Sequence, residues 1–394
     1  MPAPPSPFDS DSRPVAAIFR SPVFNASEGF VSSQAAGLVR YQPVVVGLYD
    51  RGHVPEALDA RVVLATRSER LAVKLLGRAD GLTRRVRVRA PALVHAHFGT
   101  DAVLALPMVR ALGVPMVTTL HGYDVSRSTA RLLTSGRLSW MRYPFGRRAL
   151  IRECELFLAV SDALRARAVA AGFPAGRTVT HYNGIDLGRF ALGSGGEGAT
   201  VLHVGRLVEK KGTALLLRAF AEARKAAPAA TLVIAGDGPL RPSLERLAGQ
   251  LGLAGAVRFV GFLPPQEVAD LMQRAALVAV PSLTARDGDA EGLPNVVVEA
   301  AASGLPVLGS DHSGIPEAIV HGRTGFVVPE GEVEPLAARL GELLAAPERR
   351  KRMGAAGRKL VEREFDVVRQ MVKLEAHYDA LVKLWTRTRT SATR

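Results

Sequence analysis

Cysteine occurs once, at Cys154, so the chain can form neither an internal disulfide nor a cysteine-based metal cluster; this fits a reducing compartment. Aromatic residues make up only 6% of the 394 positions and charged residues 22%. No stretch reaches the roughly 20 apolar residues that a membrane-crossing helix requires. The opening "MPAPPSPFDSDSRP" has no apolar core of a secretory signal, and residues 1–14 read as a disordered tail. Acids are in deficit: 37 Asp and Glu stand against 51 Lys and Arg, a formal net charge of +14. Hydrophobic residues and glycine are abundant, at 47% and 38 positions, which marks a globular chain and excludes a disordered one. The length exceeds one ordinary core and fits two domains of roughly 150 to 200 residues each.

Short β-branched runs alternate with helical stretches throughout. "VAAIF" (15–19), "VVVGL" (44–48), "VVLAT" (62–66), "ALVHAHF" (92–98), "PMVTTL" (115–120) and "LFLAVS" (156–161) read as strands. Such alternation implies crossover connections and parallel sheets. It breaks at "LGSGGEGAT" (192–200), a glycine-rich hinge, and then restarts at "TVLHVG". The expected organisation is a first α/β domain over 15–191, a second over 201–370, and a C-terminal helix over 371–394. Two doubly wound sheets place ligands beyond the carboxyl ends of their strands, so functional residues are sought there.

The charge needs a partner. Ser126 to Arg152 holds seven arginines (Arg127, Arg131, Arg137, Arg142, Arg147, Arg148, Arg152), no acid, and the interleaved Trp140, Met141, Tyr143 and Phe145. Three readings stand: a surface lying on anionic lipid, a nucleic-acid site, or a solvated face. No nucleic-acid-binding motif accompanies the charge, which ranks that reading last.

Four stretches carry chemistry. In "HVGRLVEKKG", Arg206 follows a strand and Lys211 opens the next helix; a guanidinium fork and a point charge suit a diphosphate, and a solvated basic turn is the other reading. In "EGLPNVVVEAAASG", Pro294 belongs at the first helical position, so Gly292, Leu293, Pro294 and Asn295 mark a helix N-terminus that favours an anion. Glu291 at that mouth is suited to accept hydrogen bonds from neutral sugar hydroxyls, or it is an ordinary helix-start acid. Glu299, more than a turn inside an apolar helix, must be satisfied by vicinal ribose hydroxyls or by a buried arginine. "TLHGYD" places His121 and Asp124 just after a strand, where a histidine can donate to a hydroxyl or simply bind backbone. Asp287 and Asp289 form an Asp-x-Asp, read as solvated acids and not as a metal site.

In this order and spacing the motifs resemble the retaining GT-B glycosyltransferases of family 4, over about Ser27 to Gly325. The resemblance rests on Glu291 and Glu299 with "GRLVEKKG", "GDGP", "NGID", "SGIPE" and "GRTGFVVP". It implies that Glu291 holds sugar hydroxyls and Glu299 the ribose, that Arg206 and Lys211 carry the diphosphate, and that His121 contacts the transferred sugar. It also implies front-face transfer with no metal and no cofactor beyond the UDP- or GDP-linked donor sugar, and a C-terminal helix crossing back onto the first domain. "SPVFNASEGFVSSQ" and "VHAHFGTDA" look like the exopolysaccharide-building branch, which glycosylates lipid-linked intermediates. Ser27, Glu28 and Asp124 are then acceptor or accessory residues, although Gly29 replaces the threonine usual there. The expected setting is cytoplasmic, peripheral on the inner membrane face, with no nucleic-acid partner. The alternatives are a GT-B relative that isomerises or phosphorolyses sugars and a non-catalytic sugar-nucleotide binder.

Overall fold

A computed structural model of the chain describes residues 11–25, 28–52, 58, 61–193 and 198–392. The polypeptide divides into two compact units, each built on an all-parallel sheet. The expected pair of doubly wound sheets is present.

The first unit holds residues 1–160, 164–184 and 367–394. Its sheet comprises β1 (Val15–Phe19), β2 (Gln42–Gly47), β3 (Val62–Leu64), β4 (Pro91–His97), β5 (Met116–Leu120), β6 (Leu156–Ala159) and β7 (Thr178–Thr180). The spatial order is β3-β2-β1-β4-β5-β6-β7. Strand β1 is buried along its whole length, as its unbroken apolar run requires of a strand covered on both faces. One face packs on Leu82, Val86, Ala102, Leu106 and Tyr143. The other is closed by Met371, Leu374, Tyr378 and Leu381 of the helix Val367–Ala392. That helix is tied down by Glu375, which accepts from the backbone N–H groups of Val39 (2.8 Å) and Arg40 (2.6 Å), and by Tyr41 Oη donating to Asp379 (3.0 Å).

The second unit holds Ser161–Ala163 and Ile185–Asp366. Its strands are β8 (Thr200–Val204), β9 (Thr231–Ala235), β10 (Val257–Gly261), β11 (Leu277–Val280), β12 (Val307–Ser310) and β13 (Gly325–Val328), in the order β10-β9-β8-β11-β12-β13. The chain changes unit at Gly184 and Ile185, ahead of the glycine-rich 192–200 stretch, of which 194–197 lie outside the described residues. The reason is local: Ile185 already donates its N–H to Phe365 O (2.8 Å) and bridges Asp366. The long helix begins at Val367, four residues before the sequence expectation.

Each strand order reverses once, between β1 and β4 in the first sheet and between β8 and β11 in the second. Loops leaving such a pair part to opposite faces and open a crevice at the strands' carboxyl ends. Arg20 and Phe98 follow β1 and β4. Arg206 and the segment leading to Glu291 follow β8 and β11.

Candidate functional site

In the second unit, β8 runs into a short turn, Glu209–Lys211, before the helix Thr213–Arg224. Gly212 joins the two at φ +66°, and a Cβ there would stand 1.8 Å from Pro281 O, so only glycine lets the lysines approach the β11 loop. Lys211 Nζ lies 3.0 Å from Glu291 Oε1, although that oxygen accepts no well-aligned hydrogen bond. Lys210 Nζ is 3.6 Å from the same oxygen and 3.3 Å from Asp289 Oδ1. Burial alone would raise the Glu291 carboxyl, but Lys211 and Lys210 outweigh it and hold it down at about 2. Glu291 is therefore a fixed, ionised acceptor.

Its backbone is fixed as well. Glu291 N–H donates to His312 Nε2 (3.1 Å), which leaves the His312 proton on Nδ1, donated to Glu330 (2.8 Å). Ser313, in a left-handed conformation (φ +49°), donates its hydroxyl to Glu291 O (2.8 Å), and Gly314 N–H donates to Gly292 O (2.9 Å). His312 and Glu330 went unread in the sequence, Lys210 was read only within a basic turn, and Ser313 only as the first residue of "SGIPE". Lys210 had the signal of adjacency to Lys211 and Ser313 that of its motif; His312 and Glu330 meet their contacts 21 and 18 residues away and carry none.

Gly292, Leu293 and Pro294 are buried and lead into the helix Asn295–Ala302. Pro294 is the N-cap and not the first helical residue: its backbone is extended (ψ 122°) while its carbonyl already accepts from Val297 N–H (3.1 Å). Glu299 makes no side-chain ion pair or hydrogen bond among the described residues. Burial pushes its carboxyl up from the ordinary 4.5 to about 7, against weaker pulls from Arg189 and Lys211. The arginine partner offered by the alternative reading thus acts only from a distance. Arg206 is exposed and has no side-chain partner among the described residues, so the structure joins Lys211 to Glu291 but leaves Arg206 apart. Asp287 and Asp289 are half-buried and engaged, beyond the solvated acids expected: Asp289 pairs with Lys210, and its N–H donates to Asp287 (3.0 Å).

In the first unit, His121 follows β5 and His97 ends β4. His97 Nδ1 and His121 Nε2 are 3.2 Å apart, and Phe98 and Phe30 flank His121 with ring centroids at 4.2 and 4.9 Å. Asp124 is a backbone clasp: its carboxylate accepts from the N–H groups of His121 (3.2 Å), Gly122 (2.9 Å) and Gly99 (3.0 Å). It positions His121 and is buried, which is an accessory role and leaves contact with an acceptor to the neighbouring groups. Glu28 is engaged as well. Both its oxygens are held by Arg20, Nε to Oε2 and Nη2 to Oε1, each at 2.9 Å. Arg20 also pairs with Asp101, whose Oδ2 accepts from Ser21 N–H (2.6 Å), and stacks 4.2 Å over Phe98. Burial works against the Arg20 charge, yet Asp101 and Glu28 push its pKa upward overall. Ser27 lies outside the described residues.

Two family models divide the chain between them. "Glycosyltransferase Family 4" matches residues 33–189 and "Glycosyl transferases group 1" matches 185–360. A GDP-mannose-dependent alpha-(1-6)-phosphatidylinositol monomannoside mannosyltransferase of Mycolicibacterium smegmatis is 34% identical over 279 residues, 66% of this chain and 70% of that protein. The chain belongs to glycosyltransferase family 4. This family-4 chain is also 34% identical to the amylovoran biosynthesis glycosyltransferase AmsK of Erwinia amylovora, over 68% of its own length and 65% of AmsK's. It thus spans somewhat less than two thirds of that relative's length. Among solved structures, HepE of Anabaena in complex with UDP-glucose superposes with a TM-score of 0.75 at 22% identity, covering 93% of this chain and all of HepE. Sucrose-phosphate synthase of Thermosynechococcus elongatus gives 0.77 at 19% identity, covering 94% of this chain and all of that one. These likenesses establish the GT-B fold.

Proposed function

We propose that this family-4 chain transfers a sugar, with retention of anomeric configuration, from a nucleoside-diphosphate sugar to a lipid-linked glycan acceptor in polysaccharide biosynthesis. The observation that carries the donor half is the pairing of Lys211 with an ionised Glu291 at the mouth of a helix whose second carboxyl, Glu299, has no partner of its own among the described residues. A diphosphate at that helix mouth takes Lys211 and Arg206, Glu291 accepts from sugar hydroxyls, and Glu299 accepts from the ribose. The anomeric carbon's bond to the diphosphate breaks as a bond to the acceptor oxygen forms on the same face. The acceptor proton passes to the departing phosphate oxygen. On this reading no metal is required, since lysine and arginine carry the phosphate charge. The AmsK and mannosyltransferase names support the product class, while the mannosyltransferase's GDP-mannose and HepE's UDP-glucose keep both donor types in play.

Calorimetry of UDP, GDP and ADP with EDTA present tests this, and Glu299 supplies a pH signature. Its folded pKa is raised, so the empty protein gains nothing from ionising it, and stability falls as pH rises from 4.5 through 7. Ribose hydroxyls favour the carboxylate. Binding near pH 6 to 7 is therefore expected to release a fraction of a proton, read as a dependence of binding heat on buffer ionisation enthalpy. Glu299→Gln should bind more weakly and show a smaller dependence, the remainder coming from the terminal phosphate of the nucleotide. Absence of binding by every nucleotide without metal would overturn the donor-site reading.

The acceptor half of the proposal includes an anionic membrane surface. Among the described residues no helix is long and apolar enough to cross a membrane. Arg142 donates to Lys74 O (2.9 Å) and Arg147 to Ala171 O (2.6 Å), so these two are structural, while Arg131 and Arg148 are exposed. Phe145 is 79% exposed on the same helix, Leu138–Glu153, and Leu75 and Leu76 are exposed beside the Lys74 carbonyl that Arg142 holds. Apolar residues ringed by cations suit an anionic bilayer. Phe145→Asp with Arg148→Glu should weaken sedimentation with anionic liposomes by about tenfold or more, at roughly 1 kcal/mol per cation plus the lost apolar contact, and spare donor hydrolysis. Unchanged sedimentation would remove the membrane from the proposal.

A further inference from the structure

The histidines at the ends of β4 and β5 form a stack that has a definite proton order. His95 and His97 ring centroids are 4.5 Å apart, and those of His97 and His121 are 5.4 Å apart. His95 is fully used: Nδ1 meets Tyr378 Oη (2.6 Å) and Nε2 meets Thr119 Oγ1 (2.7 Å). His97 is 0% exposed, and its Nε2 has no hydrogen-bond partner. Burial first, then His95, His121 and Arg20, keep His97 neutral; burial, Arg20 and His95 do the same for His121. Each ring therefore holds one proton.

The contact between His97 Nδ1 and His121 Nε2 needs one donor. If His121 Nε2 donated, the His97 proton would sit on Nε2, an N–H sealed in the core without an acceptor. If His97 Nδ1 donates, Nε2 keeps only a lone pair there, and every N–H has somewhere to go. A buried, unsatisfied N–H is the costlier error, since orphaned donors are rarer than under-used acceptors. The second arrangement wins. The His121 proton then resides on Nδ1, the ring nitrogen that makes no hydrogen bond among the described residues and is absent from the sealed, unpartnered atoms.

We propose that His97 is a positioning residue that fixes His121 as its Nδ1–H tautomer and so determines which ring atom donates to substrate. This rests on the reading of His121 as a contact of the transferred sugar, and it specifies that contact: Nδ1–H donates to a sugar oxygen. The ring would act as a neutral hydrogen-bond donor. A neighbour that hydrogen-bonds one ring nitrogen and so sets the tautomer of a working histidine is a general device.

The test uses the full chain labelled with ¹⁵N-histidine. Long-range ¹H–¹⁵N correlation distinguishes protonated from bare ring nitrogens, and His121→Asn assigns the signal among the nine histidines. Wild type should show His121 protonated at Nδ1. Protonation at Nε2, the ordinary form of a free imidazole, overturns the proposal whether or not a His97 variant folds. His97→Phe should move the His121 proton to Nε2 and lower kcat by roughly 10- to 100-fold with little change in KM for the donor sugar. His97→Gln, whose side-chain amide can replace the donor, should retain both the Nδ1–H tautomer and most of kcat. A His97→Phe chain that switches tautomer but keeps full kcat would overturn the sugar-contact reading of His121, and the positioning role with it.

Discussion

Glu291→Ala is expected to lower kcat by on the order of 100-fold, the kinetic equivalent of a charge-assisted hydrogen bond worth about 1.5–3 kcal/mol. The nucleoside diphosphate alone should bind as well as before, or a few-fold tighter. The asymmetry follows from the pairing at 3.0 Å: in the empty site Lys211 is partly neutralised by Glu291, and removing the carboxylate leaves the lysine wholly to the phosphates. Glu291→Gln separates the two effects, since it keeps a hydrogen-bonding oxygen in place but releases the lysine in the same way. Steady-state kinetics beside calorimetry of the free nucleotide reads both quantities. If nucleotide affinity and turnover fell together, and Glu299 variants behaved alike, the division between sugar and ribose carboxylates would be wrong.

Asp101→Ala should produce the largest loss of stability in the first unit, about 3 kcal/mol, at the lower end for breaking a buried ion pair because Arg20 retains Glu28. The loss comes mainly from what remains. Arg20 is 6% exposed, and the Ser21 N–H loses the carboxylate that accepts it. Asp101→Asn keeps the acceptor for Ser21 and should sit between wild type and alanine. Both tryptophans, Trp140 and Trp385, belong to this unit, so denaturation followed by tryptophan fluorescence reads it without the other. A midpoint unmoved by Asp101→Ala would mean that the Arg20 cluster contributes no net stability.

The strands were legible where burial on both faces forces a continuous apolar run. "VAAIF" was read to the residue, whereas β7 (Thr178–Thr180) and β13 (Gly325–Val328) were missed: the first is only three residues long, and the second starts on a glycine and entered the reading as a motif. The site was legible in part for a comparable reason. Two carboxylates in an apolar helix contradict their surroundings, and that contradiction is visible in one dimension. What holds Glu291 in place is not, because His312 and Glu330 reach it through contacts spanning 21 and 18 residues. Glu28 was legible only in part for the same cause. It sits in a functional-looking motif, but Arg20 is its partner, and the anchor of that arginine, Asp101, is 81 residues away.

The helix Val367–Ala392 closes one face of a sheet whose other elements all lie before Gly184, and this sets an order of events during synthesis. The second unit is contiguous but for Ser161–Ala163, so nearly all of it leaves the ribosome while the first sheet still lacks Met371, Leu374 and Tyr378. At about 5–20 residues per second that interval lasts on the order of ten to forty seconds. Through it the apolar face around Ala16, Ile18 and Val45 has only Val31, Ala35 and Leu38 as early cover, and the His95 ring is without the hydroxyl of Tyr378. The half of the molecule that begins first is completed last, and its vulnerability to aggregation and proteolysis is concentrated in the nascent chain.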